Sequence, residues 1–267
     1  MSSGAEHFEG VDPVWHALLT GRLPELRKGR RFFKLISPYS ADRCRLCYAP
    51  FTGISAPIAR WMGRGPWARN PHYCDLCERF FRNHRGGTEM DIAVVYADVR
   101  GSTSLAAGMS PADFGTLMQR FYLTATEVLV AHDAAIDKMM GDGVIGICFP
   151  ELGDTDYRRR AALSGIALLR ATGHGSRKGL WLSIGVGVHA GKAFVGSLGV
   201  EGRGYEFAAL GETMNIGARL VSAAGAGELV LSDAVWDHVS DKLEAESRTL
   251  TLKGVDRPVA AHVARLH

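Results

Sequence analysis

The chain has 267 residues, 46% of them apolar and 22% charged, a globular composition that excludes global disorder. No apolar run reaches the roughly 18–20 residues that span a bilayer, and the first ten residues, MSSGAEHFEG, lack a signal peptide's basic start and apolar stretch. An integral membrane or Sec-secreted protein is therefore not expected. The formal net charge of +3 is unevenly spread: residues 1–87 carry 14 Lys and Arg against 7 Asp and Glu, and residues 88–267 carry 17 against 21. Two differently built parts follow, a basic region over 1–87 and a second domain over 88–267.

In chain order, 1–12 reads as a polar tail and 13–36 as a helix interrupted near Gly21 and Pro24. Residues 37–87 are dense in Pro, Gly, Arg and aromatics with little helix or strand periodicity, so this stretch needs a staple to bury a core. DIAVVYADV then reads as a strand ending in Asp98, with a turn at Arg100–Thr103. Apolar spacing through Phe114, Leu117, Phe121 and Leu129 predicts a helix over 111–131. AAIDKMMGDGVIGICF reads as two strands about a Gly-Asp-Gly turn, and 154–172 as an amphipathic helix. Two strands are expected in LWLSIGVGVHAG and KAFVGSLG, meeting at Gly191. A helix over 211–223, a strand over 228–231, a helix over 232–240 and strands near 246–252 and 258–264 complete the reading. The order βαββαβ with C-terminal additions is that of an α/β (α+β) ferredoxin-like sandwich, preceded by a small stapled module.

The staple is legible in the cysteines. Cys44-x2-Cys47 and Cys74-x2-Cys77 are two CxxC pairs separated by 26 residues. Two thiolates from each tight turn complete a closed tetrahedral zinc site of structural type. His72 and His84 are near enough in sequence to replace a cysteine. Reduced thiols, two disulfides and an iron–sulfur cluster are the alternatives. Between the pairs, Trp61 and Trp67 alternate with Arg60, Arg64 and Arg69. The simpler expectation is that both indoles cover the metal knuckle while the arginines are solvated. The other reading is a surface for lipid headgroups, which would put a cytoplasmic protein peripherally at a membrane. Nucleic acid is not the expected partner, because no recognition helix follows the cysteines.

Asp98 and Asp142 each end or join β-rich runs, and such a pair can hold two hard cations. The turn Gly101, Ser102, Thr103 can offer backbone N–H groups to phosphate. YADVRGSTSLA, DKMMGDGVIGICF, GVHAGKAFVGSLG and LGETMNIGARL, in this order and spacing, resemble the class III nucleotidyl cyclase catalytic domain over about residues 89–265. The resemblance implies that Asp98 and Asp142, with the Val99 carbonyl, bind two Mg²⁺ or Mn²⁺ ions. It implies base contact by Lys138, ribose orientation by Asn215 and transition-state stabilisation by Arg219, with Lys192 and, more weakly, Lys253 facing the triphosphate. Such sites are shared across a homodimer. The resemblance also implies intramolecular attack of a ribose 3′-oxygen with loss of pyrophosphate. The lysine at 138 favours ATP, whereas Ala208 stands where adenylyl cyclases carry an Asp or Thr that accepts the adenine amino group. GTP or relaxed pyrimidine use, and a catalytically silent nucleotide-binding relative, are the alternatives.

Overall fold

The computed structural model describes residues 12–20, 22–37, 42–44, 46–67, 70–84, 86–150, 156–176, 179–200, 204–251 and 258–266. Its contacts divide the chain into two compact units, Met1–Met90 with Phe194–Leu210, and Asp91–Ala193 with Gly211–His267.

The first unit opens with α1 (Pro13–Leu19), capped by the Asp12 carboxylate, and α2 (Pro24–Ile36). The expected break at Gly21–Pro24 thus separates two helices, each with proline in its first turn, where its missing N–H costs nothing. The described part of 37–87 holds more regular structure than its composition suggests: α3 (Ala56–Trp61), β1 (Pro66–Trp67), β2 (Asn70–Cys74) and α4 (Asp75–Asn83) follow in turn, with β1 and β2 antiparallel. The same unit holds the far end of β6 and all of β7, whose antiparallel register runs from Phe194↔Leu210 to Val200↔Gly204. Trp15 is fully buried, and its ring stacks on Phe207 at 6.4 Å.

The second unit contains most of β3 (Gly86–Val99), then α5 (Ser102–Gly108), α6 (Pro111–Ala131), β4 (Ala135–Met140), β5 (Gly143–Cys148), α7 (Tyr157–Ala171) and the first part of β6 (Ile184–Val200). After β7 (Gly204–Leu210) come α8 (Glu212–Ala223), β8 (Glu228–Ser232), α9 (Asp233–Trp236), β9 (Glu246–Leu250) and β10 (Val259–Arg265). The strand order is β4-β5-β3-β6-β8-β10-β9, and β7 pairs with β6. The pairings are mainly antiparallel, with β6 and β8 parallel. This is the expected α/β sandwich with C-terminal strands. Three details differ from the sequence reading. The helix expected over 232–240 is the four-residue α9, with turns after it. The two strands expected to meet at Gly191 are one strand, β6, and β7 carried no strand signal strong enough to be predicted.

Strand alternation decides what each face of the sheet meets. Ala93, Val95, Ala97 and Val99 of β3 point into the main core with Phe121, Ala125 and Leu129 of α6 and Ala161, Ala162 and Leu169 of α7. Val94 and Tyr96 point the other way, towards α8. There a Cβ on Gly217 would lie 2.7 Å from both Val94 and the Tyr96 ring, and one on Gly187 would run into the backbone of Val221. Glycine on both the helix and the strand is what lets α8 lie close on this face. Ile216, Leu220 and Ala224 complete the contact with Val230, Ala261 and Val263.

The turn from α8 into β8 is fixed by Glu228. Its carboxylate accepts from the Gly225 N–H and the Arg265 Nε, both at 2.8 Å, and lies 3.6 Å from Arg248. Burial alone would raise its pKa, but these three donors outweigh burial and hold it below the ordinary 4.5. A depressed folded-state pKa means that the contribution is full above the unfolded pKa and is lost as pH falls through the folded one. Glu228→Gln is therefore expected to cost about 1–3 kcal/mol at neutral pH. Urea unfolding of both proteins should show this gap shrinking below pH 4.5.

Candidate active site and metal centre

Asp98 lies at the end of β3, opposite Gly143 in the register with β5. Asp142 lies in the β4–β5 turn, and its carbonyl accepts the Val99 N–H at 3.0 Å. Asp142 lies close enough to bear on the titration of Asp98, whose carboxylate stands against Gly143, the residue after Asp142. Burial raises the Asp98 pKa, the charge of Arg100 opposes the rise, and Asp142 reinforces it. Tyr122 of α6 donates to the Gly141 carbonyl and fixes the turn that presents Asp142. Two neighbouring carboxylates beside a main-chain carbonyl are hard oxygen donors of the kind that suits Mg²⁺ or Mn²⁺.

Arg100, which the sequence reading passed over, joins this pair to the next element. Its Nη2 is ion-paired with the Asp98 carboxylate. Its Nη1 donates to the carbonyls of Val221 and Ala224 at 3.4 and 3.2 Å, and its Nε to the Asp98 carbonyl at 3.3 Å. The side chain is only 20% exposed. A cation at the C-terminal carbonyls of α8 is well placed for the helix dipole. The signal was available in sequence only as an arginine beside a strand-end acid, and contact with a helix more than 120 residues away could not be read from it.

Gly101 has φ +70° and caps α5, so Ser102 and Thr103 stand in the first turn of that helix. Lys138 is on β4 and exposed. A register shift between Ile136 and Lys138 places it opposite Ile145, which in turn pairs with Tyr96. The row Lys138–Ile145–Tyr96 puts the lysine on the α8 face, because a one-residue slip exchanges faces. Lys192 on β6 is exposed, and its carbonyl accepts from the Thr213 hydroxyl in the first turn of α8.

Thr213, Met214, Ile216, Gly217, Leu220 and Val221 of α8 are buried, whereas Asn215 and Arg219 are exposed. Their i, i+4 spacing puts both on the outward row of the helix, turned from the sheet. Along the axis, Asn215 is about 13 Å from the Ala224 end that Arg100 holds. Ala208 on β7 is buried at 7% exposure, opposite Gly196. Lys253 lies outside the described residues.

The four cysteines do come together. Cys44, Cys47, Cys74 and Cys77 are buried and free of disulfides, with their sulfurs all within 4.8 Å of one another. Cys47 and Cys74 sulfurs are 3.6 Å apart, and the Cys74 N–H points at the Cys44 sulfur at 3.3 Å. Burial raises the Cys44 thiol well above its ordinary value, while the neighbouring thiols lower Cys47 and Cys74 and raise Cys77. His84 is turned to Phe80, on whose ring it stacks and whose carbonyl it meets at 3.0 Å, so it is not in the cluster. The side chain of His72 lies outside the described part.

The expected roles of the tryptophans and arginines around this cluster are partly reversed. Trp61 is 88% exposed and does not cover the knuckle. Arg64 is only partly exposed and sits over the Phe33 ring. Burial pulls its pKa down, but the nearby charges of Cys47, Cys74 and Cys77 raise it overall. The cationic side chain, not the aromatic one, answers the sulfurs, as a buried anionic cluster requires.

A family model described as the adenylate and guanylate cyclase catalytic domain matches residues 87–260, and the chain belongs to that family. An uncharacterised protein of Mycobacterium tuberculosis (strain ATCC 25618 / H37Rv) is 30% identical over 187 residues, 67% of this chain and 33% of the relative. Adenylate cyclase 1 of Rhizobium meliloti (strain 1021) is 28% identical over 141 residues, 51% of this chain and 21% of the relative. The chain therefore spans a third or less of these curated relatives. The solved guanylyl cyclase Cya2 is 26% identical with a TM-score of 0.59, covering 67% of this chain and 93% of its own. The adenylyl cyclase CyaB from P. aeruginosa shares the fold at 24% identity and a TM-score of 0.59, covering 67% and 95%.

Proposed function

We propose that residues 88–267 form a catalytic domain that converts ATP to 3′,5′-cyclic AMP and pyrophosphate inside the cell, and that residues 1–87 form a metal-stapled module attached to it. The observation that carries this reading is the neighbouring Asp98–Asp142 pair at one end of the α8 face. Asp98, Asp142 and the Val99 carbonyl would hold two divalent ions. When bound, such ions make the ribose 3′-oxygen a better nucleophile and offset charge on the triphosphate.

The remaining roles fall to side chains of this protein. Lys138 reads the base, and Asn215 orients the ribose. Arg219 offsets charge that develops on the reacting phosphate, and Lys192 with the Gly101–Thr103 turn binds the other phosphates. Asn215 and Arg219 are exposed on the row of α8 turned from the sheet, whereas the carboxylates stand at the end of β3 and in the β4–β5 turn. That placement suits a nucleotide held on the carboxylates of a second copy, so two equivalent sites form in a homodimer. Downstream, the cyclic nucleotide would serve as an intracellular signal.

ATP is the favoured substrate because Lys138 can accompany adenine. Ala208 supplies no hydrogen-bond acceptor, and one missing partner narrows selectivity to about 10–100-fold. Purified full-length protein with Mn²⁺ and ATP, GTP, CTP or UTP, with products identified by mass spectrometry, should form cyclic AMP fastest. Comparable turnover of the other nucleotides would contradict the ATP preference. Nucleotide binding without any cyclic product would favour the silent alternative.

Cys44, Cys47, Cys74 and Cys77 fit one zinc ion. Zn–S bonds of about 2.3 Å in a tetrahedron place the sulfurs about 3.8 Å apart, close to the 3.6 Å between Cys47 and Cys74. An iron–sulfur cluster would have to lie between the thiolates and spread them further. Elemental analysis of the purified chain should find about one zinc per protein, lost together with the fold of this module in Cys74→Ser. Iron in its place, or no metal, would refute the assignment.

A further inference from the structure

The first unit displays an apolar ridge that its own packing leaves in solvent. Ile54 is 99% exposed, Trp61 88% and Leu35 81%, with Ile58 and Met62 about half as exposed. Ile58, Trp61 and Met62 recur at helical spacing on α3 and its C-cap, so they share a face, and Ile54 stands in the turn just before the N-cap Ser55. The Ser55 hydroxyl donates to the Ile36 carbonyl at 2.8 Å, which brings the end of α2, with Leu35, beside Ile54. Side chains of this size seldom stand together in solvent unless the patch has a partner.

The charges beside the ridge are mostly positive. From Leu26 to Arg64 the sequence carries nine Lys and Arg and one acid, Asp42. Arg30, Lys34 and Arg43 surround the Tyr48 ring, and Arg64 faces the cysteines, so these belong to the module's own packing. Arg27, Lys28 and Arg31 do not: they are exposed and make no ion pair among the described residues. They lie one and two turns before Leu35 on α2, so a cationic strip leads into the apolar ridge.

We propose that this surface docks the protein on an anionic phospholipid bilayer. Leu35, Ile54, Ile58 and Trp61 enter the interfacial region, and Arg27, Lys28 and Arg31 lie over the acidic headgroups. Tryptophan is at home at the level of the headgroups, where its ring is half in hydrocarbon and its N–H remains wet. The positive strip concentrates the protein at an anionic surface, and the apolar ridge supplies the insertion that charge alone does not. Double-stranded nucleic acid fits less well, because exposed isoleucine and leucine gain nothing from a phosphate backbone. The cysteine cluster contributes rigidity, since Cys44 and Cys47 precede α3 and Cys74 and Cys77 follow it. The proposal does not depend on the cyclase reading.

The test is co-sedimentation of the full chain with vesicles of phosphatidylcholine alone and with about one third phosphatidylglycerol. Binding to the anionic vesicles, at least about tenfold tighter than to neutral ones and weakened by 0.5 M-range salt, is the expected result. Ile54→Ser with Trp61→Ser should weaken vesicle binding by about tenfold or more, as should Arg27→Gln with Lys28→Gln and Arg31→Gln. All five substituted side chains are exposed, so circular dichroism of the variants should match the parent. Equal partition of parent and variants would overturn the proposal. So would a change in oligomeric state on losing Trp61 with no vesicle binding, which would make the ridge a contact between copies. Salt-sensitive binding of RNA or DNA without vesicle binding would overturn it too.

Discussion

Two carboxylates placed together are an unfavourable arrangement unless a cation or a shared proton answers it. Asp98 and Asp142 stand in that relation because β3 and β5 are neighbours and the β4–β5 turn folds back onto the end of β3. In the structure the answer comes in part from Arg100, whose guanidinium also holds the last carbonyls of α8. The sheet end, the turn and the helix are thus fixed by one electrostatic problem. Divalent ions would answer the same pair with two charges each.

The close lie of α8 on the sheet is the second constraint. Gly187 and Gly217 remove the side chains that would hold helix and strand apart, and the buried row of α8 then turns Asn215 and Arg219 outward. A helix with one face committed to the sheet has only its other face for function. The carboxylates stand at the end of β3 and in the β4–β5 turn, the outward row on the far side of α8, and a site needing both is most simply completed by a second copy.

Much of this was legible in sequence, for identifiable reasons. Helix α6 matches the expected 111–131, because Ser110 and Pro111 mark its start and its apolar spacing is regular. The strand ending at Asp98 is an apolar β-branched run, and the Gly-Asp-Gly turn marked the β4–β5 hairpin. The glycines of β6 misled: Gly191 reads as a break, yet the strand runs through it, and glycine stands there because a Cβ would crowd Thr213 of α8. Strand β7 was missed because Gly, Glu and Ala dilute its pattern. Its packing on α1 within the first unit, through Phe207 and Trp15, is a long-range contact with no local signal. The four cysteines were legible from spacing alone. Which of Trp61 and Arg64 faces them was not, since three residues in a turn-rich segment can be rotated either way.

The central claim is that Asp98 of one copy and Arg219 of another act on the same nucleotide. Its most direct measurement mixes Asp98→Ala chains with Arg219→Ala chains and assays cyclic nucleotide formation. Each variant alone should be inactive. The mixture should recover up to about a quarter of the parental rate, because half of the randomly formed dimers then carry one intact site out of two. If each variant is dead and no activity returns on mixing, or if Arg219→Ala chains turn over unaided, the shared site is contradicted.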